Sequence, residues 1–144
     1  MKPSRRYLLI SPCRDEAQYL RRTLDSVAAQ SVPPALWVVV DDGSTDRTTA
    51  ILEEYAHRLP YLLVLQRTDR GRREVGPGVI EAFYAGLETV RLEDFDYLCK
   101  LDMDLDLPVS LLRVADAERS ARRDHLRETV VRPYAERCAG TGNL

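Results

Sequence analysis

The stretch LWVVVDDGSTD, residues 36–46, joins a strong strand signal to a strong turn signal. Its first five residues are aliphatic, aromatic or β-branched, which is typical of a strand buried in a sheet. The Asp, Gly and Ser that follow favour a turn, and Ser44, Thr45 and Asp46 are all good helix N-caps. Apolar residues then continue at helical spacing to about Leu59. The stretch therefore predicts a strand, a polar loop and a helix in succession.

The same succession recurs along most of the chain. Three other apolar runs predict strands, at Tyr7–Ile10, Tyr61–Leu65 and Tyr97–Leu101. Helical periodicity lies between them, over residues 17–30 with Ala28 on the apolar face, and again after residues 76–78 with Val79 on the apolar face. The aromatic residues within these apolar runs and faces are assigned to the core: Tyr7, Trp37 and Phe83. The strands are continuous apolar runs, as expected of parallel strands that are buried on both faces. We therefore predict an α/β fold, a three-layer sandwich with a mostly parallel sheet and right-handed crossovers.

Composition limits the classes of protein to which the chain can belong. Its 144 residues, 44% hydrophobic and 31% charged, are those expected of one globular domain. A net charge of -2 gives no electrostatic footprint for nucleic acid, so no nucleic-acid partner is expected. No apolar run has the length of a membrane span, and the first residues do not fit a signal peptide. We expect no transmembrane segment and a cytoplasmic location. The widely spaced cysteines argue against a disulfide framework and predict packing residues or free thiols: Cys13, Cys99 and Cys138.

A second acidic stretch, KLDMDLDLP at residues 100–108, alternates apolar residues with Asp102, Asp104 and Asp106. Strict alternation fits a half-buried strand, but three Asp side chains on one strand face would repel one another. The acids fit better in a loop just past the C-terminal end of a strand. Carboxylates in such a loop can converge on a hard divalent cation, which accepts oxygen ligands and keeps several waters.

Polar clusters follow the carboxyl end of every predicted strand, where open parallel sheets bind their ligands. In chain order these clusters are Arg14-Asp15-Glu16, Asp41-Asp42, the arginines at 67, 70, 72 and 73, and Asp102 with Asp104. Acids and arginines along one rim suit a nucleoside diphosphate bound with a divalent metal. The pyrophosphate needs positive charge, while the ribose hydroxyls and base N–H groups need acceptors. The GxxxxGK[ST] and GxGxxG phosphate motifs are absent from the sequence, which favours phosphate binding bridged by metal.

Four segments resemble the family 2 inverting glycosyltransferases of the GT-A fold, which use nucleotide sugars. In order they are LLISPCRDEAQYLRRTLDSVAAQS, WVVVDDGSTDRT, GPGVIEAFYAGLE and YLCKLDMDLDLP, of which the last is similar to the family's DxD region. They run from Tyr7 to about Pro108 and stand in the family's order and spacing. The resemblance implies that residues 1–108 form the Rossmann-like, nucleotide-sugar-binding half of a GT-A domain.

The resemblance also implies roles for the matching residues. Asp42 would accept a hydrogen bond from the nucleobase, and Asp15 with Glu16 would line the same nucleotide pocket. Asp102 would face the ribose or the metal-bound phosphate, and Asp104 would be the principal protein ligand of Mg2+ or Mn2+. The metal would neutralise the departing nucleoside diphosphate while an acceptor hydroxyl attacks the anomeric carbon with inversion. UDP- and GDP-linked donors both fit this pattern, and the acceptor stays open.

Residues 109–144 depart from the family's pattern. The family continues with strands that carry the acceptor site and the catalytic base, whereas this segment is Arg-rich and helical in pattern. No catalytic residue is therefore assigned. We interpret the segment as a helical tail on a truncated domain, arising as a natural short variant, a truncated gene product or a shifted reading frame.

Two alternatives to a glycosyltransferase follow from the residues. The chain could be a catalytically incompetent remnant that binds nucleotide or acts as an interaction module, with apolar surface that promotes self-association. A phospho-acceptor receiver domain is a second compact α/β unit with clustered acids. The receiver is disfavoured because its acid pair should follow the first strand, whereas the stronger pair here follows the second.

Overall fold

The computed structural model describes residues 5–68 and 76–112, in which strands and helices alternate. The elements are β1 (Tyr7–Cys13), α1 (Ala17–Ala28), β2 (Leu36–Asp41), α2 (Thr48–Arg58), β3 (Leu62–Gln66), α3 (Pro77–Leu87), a short 3-10 helix (Leu92–Asp94) and β4 (Tyr97–Lys100). The four strands form one parallel sheet in the order β3-β2-β1-β4. The predicted α/β fold with a parallel sheet is confirmed.

Helices cover both faces of the sheet and make three layers. On one face α1 and α2 pack on a cluster that includes Leu9, Leu20, Leu24, Trp37, Val39 and Leu52. On the other face α3 packs on a cluster of Leu8, Ile10, Val38, Val40, Ala82 and Phe83. Successive residues of β1 and β2 thus enter different clusters, so both faces of these strands are buried. This is why they have continuous apolar sequences.

Strand β1 continues beyond Ile10, where the sequence predicts its end, through Pro12 to Cys13. A proline removes a ladder donor and is tolerated only where the strand has no neighbour on that side. Strand β4 ends at Lys100, opposite Ile10, whereas β2 stays paired with β1 as far as Cys13. The Cys13 carbonyl accepts a hydrogen bond from the Asp42 N–H on the β2 side. By alternation, Pro12 faces the side from which β4 has already departed.

Helix α3 packs tightly against the sheet at Gly86. A Cβ atom added to Gly86 would lie 2.8 Å from Cγ2 of Val40 and 3.1 Å from Cγ2 of Ile10. Small residues at spacings of four, Gly78, Ala82 and Gly86, form the buried line of the helix. Val79, predicted on the apolar side, stands beside that line and is exposed.

Two further burial predictions are wrong. Ala28, placed on the apolar face of α1, is exposed near the end of the helix. Strand β3, predicted as a buried strand, is only partly covered: Leu63 is 45% exposed because β3 is the edge strand of the sheet in the described residues.

The aromatic residues assigned to the core, Tyr7, Trp37 and Phe83, are buried as predicted. Cys13 and Cys99 are free thiols, in agreement with the sequence, and Cys138 lies outside the described residues. Of the predicted helical tail only residues 109–112 are described, and the last two of these are helical. No helix in the described part of the chain is long and apolar enough to cross a membrane.

Candidate functional site

The strand order reverses between β1 and β4, which marks the expected ligand site. Strands β2 and β3 are added successively on one side of β1, and β4 is added on the other. In open parallel sheets, ligands bind beyond the carboxyl ends of the strands at such a switch point. The order 3-2-1-4 is that of dinucleotide-binding folds, whereas a receiver domain begins 2-1-3, so the receiver alternative is wrong.

The loops after β1 and β2 are joined to each other by side chain to backbone hydrogen bonds. The Asp15 N–H donates to Oγ of Ser44 at 3.0 Å, and Oδ1 of Asp15 accepts from the Thr45 N–H at 2.8 Å. The Glu16 N–H donates to Oγ1 of Thr48 at 2.9 Å. Asp15 has a φ of 52°, in the left-handed region that Asp tolerates better than most residues. Residues 15–16 and 44–48 therefore form one braced unit.

Asp46 joins the first turns of two helices. Its Oδ1 accepts from the N–H of Thr48 at 2.8 Å, and its Oδ2 accepts from the N–H of Ala17 at 3.2 Å. Partial desolvation raises the pKa of Asp46, but hydrogen bonds from Thr48 and Ala17 outweigh it and hold the pKa below its usual value. A carboxylate thus already occupies the start of α1, the position where dinucleotide-binding folds receive phosphate.

The adjacent acids Asp41 and Asp42 have different roles. Asp41 is buried; its Oδ1 accepts from the Ser44 N–H at 3.0 Å and its Oδ2 from Oγ1 of Thr49 at 2.6 Å. This is the turn and cap that Asp, Gly and Ser residues commonly build. The Asp42 carboxylate instead accepts from Nη1 of Arg67 at 2.9 Å. One acid shapes the loop, and the other lies at the rim beside a guanidinium.

Arg67 lies at the centre of a polar group at the ends of β2 and β3. Its Nη2 is 3.7 Å from Oε2 of Glu81 on α3, in addition to the contact with Asp42. On the other side, Nη1 of Arg14 donates to the Asp42 carbonyl at 3.0 Å. Two guanidinium groups therefore hold Asp42. The other three arginines predicted at this rim, Arg70, Arg72 and Arg73, lie outside the described residues.

Asp102 and Asp104 lie in a turn past the end of β4, in agreement with the sequence, and both are exposed. Between them, Met103 is 2% exposed and Leu101 before them is 8% exposed. The Lys100 ammonium contacts the Asp102 carboxylate. Alternation therefore buries the apolar side chains of the turn and presents the two carboxylates to solvent.

The carboxylates of this turn are suitable for a divalent cation. Within residues 5–68 and 76–112, no three His, Cys, Asp or Glu side chains are grouped so that they could hold a metal ion by themselves. Asp102 and Asp104 offer the oxygen donors that Mg2+ and Mn2+ prefer, and Mg2+ usually takes only one or two carboxylates beside waters and substrate phosphates. The donor set fits an ion held jointly with a diphosphate.

Several residues of the site were not found from the sequence. The DDGSTD stretch signalled a turn and helix caps, so Ser44 and Asp46 carried a recognisable local signal. Their bonds to residues 15–17 join positions about thirty apart in the chain, and no local pattern indicates them. The sequence placed Arg14 in a polar cluster at the rim, but nothing in it indicated the hydrogen bond from Arg14 to the Asp42 carbonyl.

A family comparison decides the relationship of this chain. The family model described as "Glycosyl transferase family 2" matches residues 8–113. The chain belongs to glycosyl transferase family 2. The matched range contains every site residue described above and agrees with the range over which the sequence resembles the family.

Several solved structures similar to this family 2 chain contain nucleotides or nucleotide sugars. S. aureus TarS is 29% identical with a TM-score of 0.66, over 82% of this chain and 20% of TarS. Structures of TarS residues 1–349 contain UDP or UDP-GlcNAc. The mannosyltransferase PcManGT of Pyrobaculum calidifontis, in complex with GDP-Man and Mn2+, is 25% identical with a TM-score of 0.58, over 72% of this chain and 29% of that one.

Mycobacterial proteins are also similar to this family 2 chain. Glucosyl-3-phosphoglycerate synthase of Mycobacterium tuberculosis, in complex with Mn2+, UDP and glucosyl-3-phosphoglycerate, is 25% identical with a TM-score of 0.52, over 78% of this chain and 38% of that one. The uncharacterized protein Rv1520 of the same organism is 38% identical over 66 residues, which are 44% of this chain and 19% of that protein. The chain thus spans about a fifth of the length of Rv1520 and of TarS.

Proposed function

We propose that this chain is the nucleotide-sugar-binding part of a glycosyltransferase that transfers a sugar from a nucleoside-diphosphate sugar to an acceptor hydroxyl, with inversion and with help from a divalent metal. One observation carries the proposal: Asp42, held by Arg67 at the end of β2, shares the carboxyl edge of the sheet with the exposed acids Asp102 and Asp104. Family membership supports it, as do the UDP, UDP-GlcNAc and GDP-Man of similar structures.

At the nucleoside end, the Asp42 carboxylate accepts a hydrogen bond from a base N–H, and Arg67 fixes the direction of that carboxylate. Asp15 and Glu16 line the same pocket. Asp15 uses Oδ1 to brace Thr45, so its contribution is to hold the pocket wall in place. UDP and GDP both present N–H donors, so both stay candidates for the donor nucleotide.

At the diphosphate end, positive charge has to come from groups other than the start of α1, which Asp46 occupies. Asp104 would be the principal ligand of Mg2+ or Mn2+, and Asp102 would face the ribose or the metal-bound phosphate. When bound, the ion supplies charge neutralisation for the leaving diphosphate. The Lys100 ammonium, which contacts Asp102, and the Arg67 guanidinium add fixed positive charge at the same edge.

In the transfer step the acceptor oxygen forms a bond to the anomeric carbon as the bond from that carbon to the diphosphate oxygen breaks. The electron pair of that bond leaves with the nucleoside diphosphate, and the hydroxyl proton passes to a base. Attack from the face opposite the leaving group gives inversion. We assign no base among residues 5–68 and 76–112, so the same site could also serve nucleotide binding without turnover.

Calorimetric titration of the chain with UDP and GDP, each with and without Mn2+, tests the proposal. We expect binding of at least one nucleotide that is tighter with Mn2+. Asp42→Ala should weaken binding under both conditions, while Asp94→Ala, in the 3-10 helix before β4, is the matched control that should not. A folded chain that binds neither nucleotide would overturn the proposal. Sedimentation of the same sample checks the predicted self-association, and a sugar-transfer assay separates turnover from binding alone.

A further inference from the structure

The segment that follows the acidic turn lies along α1 and is held there by hydrogen bonds. Oγ1 of Thr23 donates to the Leu105 carbonyl at 2.6 Å. Nε2 of Gln30 donates to the Pro108 carbonyl at 2.8 Å. The Ser31 N–H donates to the carbonyl of residue 109 at 2.9 Å. Residues 105–109 are therefore attached to α1 and the residues just after it at three successive points.

The two side chains that make these bonds are unusual for their positions. Thr23 is fully buried, on the face of α1 that also carries Leu20, Leu24 and Val27, and Gln30, two residues after the end of α1, is 7% exposed. Burying a polar group is unfavourable unless it finds a hydrogen-bond partner. The partners that compensate here are backbone groups of the segment after the acidic turn. Polar residues that break an apolar pattern in this way often mark a functional requirement.

The acidic turn is thereby fixed on both sides. Before it, the Leu101 N–H donates to the Ile10 carbonyl of β1 at 3.1 Å. Within it, the side chain of Met103 is buried in the core. After it, Leu105 is held by Thr23. Asp104 thus stands between two anchored residues, Met103 and Leu105.

We propose that Thr23 and Gln30 are positioning residues that hold Asp102 and Asp104 in the arrangement needed to bind a divalent cation together with a nucleoside diphosphate. The inference rests on the proposed function and adds Thr23 of α1 and Gln30, just after α1, to it. Thr23 acts on the residue next to Asp104, so it should have the larger effect. Gln30 acts further along, where its Nε2 also donates to the Ser26 carbonyl and its Oε1 accepts from the Leu112 N–H.

Thr23→Val tests the inference because it keeps the side-chain shape and replaces the hydroxyl with a methyl group, which cannot donate a hydrogen bond. The quantity to measure is the ratio of UDP or GDP dissociation constants without and with Mn2+, determined by calorimetry on the full chain. We expect the ratio to fall about tenfold, as is typical when the support of a metal ligand is removed. Affinity without Mn2+ should change less than the ratio does, because Asp104 acts only through the metal. Thr23→Ser, which restores the hydroxyl, should return the ratio toward the wild-type value.

Ser26→Ala is the matched control. Ser26 is a buried hydroxyl on the same helix, and its Oγ donates to the Thr23 carbonyl within the helix rather than to the segment after the turn. Its removal should leave the ratio unchanged. If Thr23→Val fails to fold, Gln30→Met, which has similar length and cannot make the same bonds, is read by the same criterion.

Four outcomes would overturn the inference. A Thr23→Val ratio equal to wild type, or a Thr23→Ser ratio as low as that of Thr23→Val, removes the positioning role while leaving the proposed function intact. A Ser26→Ala ratio that falls equally would assign the effect to the helix in general. A folded wild-type chain that binds neither nucleotide overturns the proposed function and this inference with it.

Discussion

Asp42 and Arg67 form an ion pair whose geometry is determined by the pairing of two strands. Oδ1 of Asp42 lies 2.9 Å from Nη1 of Arg67, and the two side chains are 10% and 25% exposed. They follow the ends of β2 and β3, where Asp41 pairs with Gln66 and the Arg67 N–H donates to the Asp41 carbonyl at 2.8 Å. The ladder therefore places the two residues side by side before their side chains interact.

Arg67→Met should weaken nucleotide binding equally with and without Mn2+. The change keeps an unbranched apolar stem and removes the guanidinium that directs the Asp42 carboxylate. Hydrogen bonds to charged groups contribute roughly 1.5–3 kcal/mol, so a loss of at least about tenfold in affinity is expected in calorimetric titrations. Arg91→Met, which breaks an exposed pair with Glu93, is the control. Wild-type affinity in Arg67→Met would contradict the role given to the pair.

Asp104→Ala should abolish the effect of Mn2+ on nucleotide affinity and leave metal-free binding as it was. The side chain is exposed in its turn, so its loss should leave the fold intact, with an unchanged unfolding midpoint. The measurement is again the ratio of dissociation constants without and with Mn2+. An undiminished ratio would remove Asp104 as the principal metal ligand.

Most of the fold could be predicted because the relevant information is local. The run from Leu36 to Val40 is apolar on both faces, and Pro60 stops the helix before it reaches the next strand. Pro12 shows where local reasoning fails. A proline after a serine favours the end of a strand, but β1 continues because its neighbour β4 has ended at Lys100. That information is in the sheet and not in the residues around Pro12.

The sequence predicted which edge of the sheet carries the candidate site, but not the individual contacts within the site. Parallel strands send their carboxyl ends to one edge, so acids after β2 and β4 had to share it. Asp41 and Asp42 are identical neighbours in sequence. What distinguishes them is that Thr49 meets one and Arg67 the other. Thr23 was likewise hidden, because its partner Leu105 lies 82 residues away.

Gly86→Ala should destabilise the chain although alanine is the better helix former. Helix propensity alone predicts a gain of about 1 kcal/mol. The new Cβ would lie 2.8 Å from Cγ2 of Val40, however, and overpacking of this kind costs about 1–3 kcal/mol. Urea unfolding gives the sign of the change. Ala85→Gly, at a half-buried position of the same helix, calibrates the propensity contribution. If Gly86→Ala is more stable than wild type, the sheet residues around Gly86 must shift to accommodate the new methyl group.

Ser11→Ala should reduce stability because it leaves a buried donor without its acceptor. Nε1 of Trp37 donates to Oγ of Ser11 at 2.9 Å, and both residues are fully buried. An unsatisfied buried donor costs about 1–3 kcal/mol. Trp37 is the single tryptophan of the chain, so its fluorescence reports both the unfolding transition and its own environment. In a Trp37→Phe background, Ser11→Ala should cost less, and equal costs in both backgrounds would exclude the bond as the cause.

Asp46→Asn should lower stability at neutral pH by about 1 kcal/mol, the usual net contribution of one hydrogen bond within a protein. An amide oxygen can still accept from Thr48, but the amide nitrogen that replaces the second oxygen cannot accept from Ala17. The effect should depend on pH, because the pKa of Asp46 is lower in the folded chain than the value of about 3.9 expected when unfolded. A lowered pKa stabilises the fold above the unfolded value, and this stabilisation is lost as the pH falls through the folded value.

The difference in unfolding free energy between wild type and Asp46→Asn should therefore be constant from pH 7 to about 5 and shrink below about pH 4. Urea unfolding at a series of pH values measures it. Glu53→Gln removes one carboxylate from the exposed face of α2 and is the control. An equal pH dependence in Glu53→Gln would mean that the profile follows total charge. A carboxylate that accepts from both N–H groups must lose part of that advantage when it is protonated. If the difference does not change down to pH 3, the charge of the Asp46 carboxylate is therefore not what stabilises the starts of the two helices.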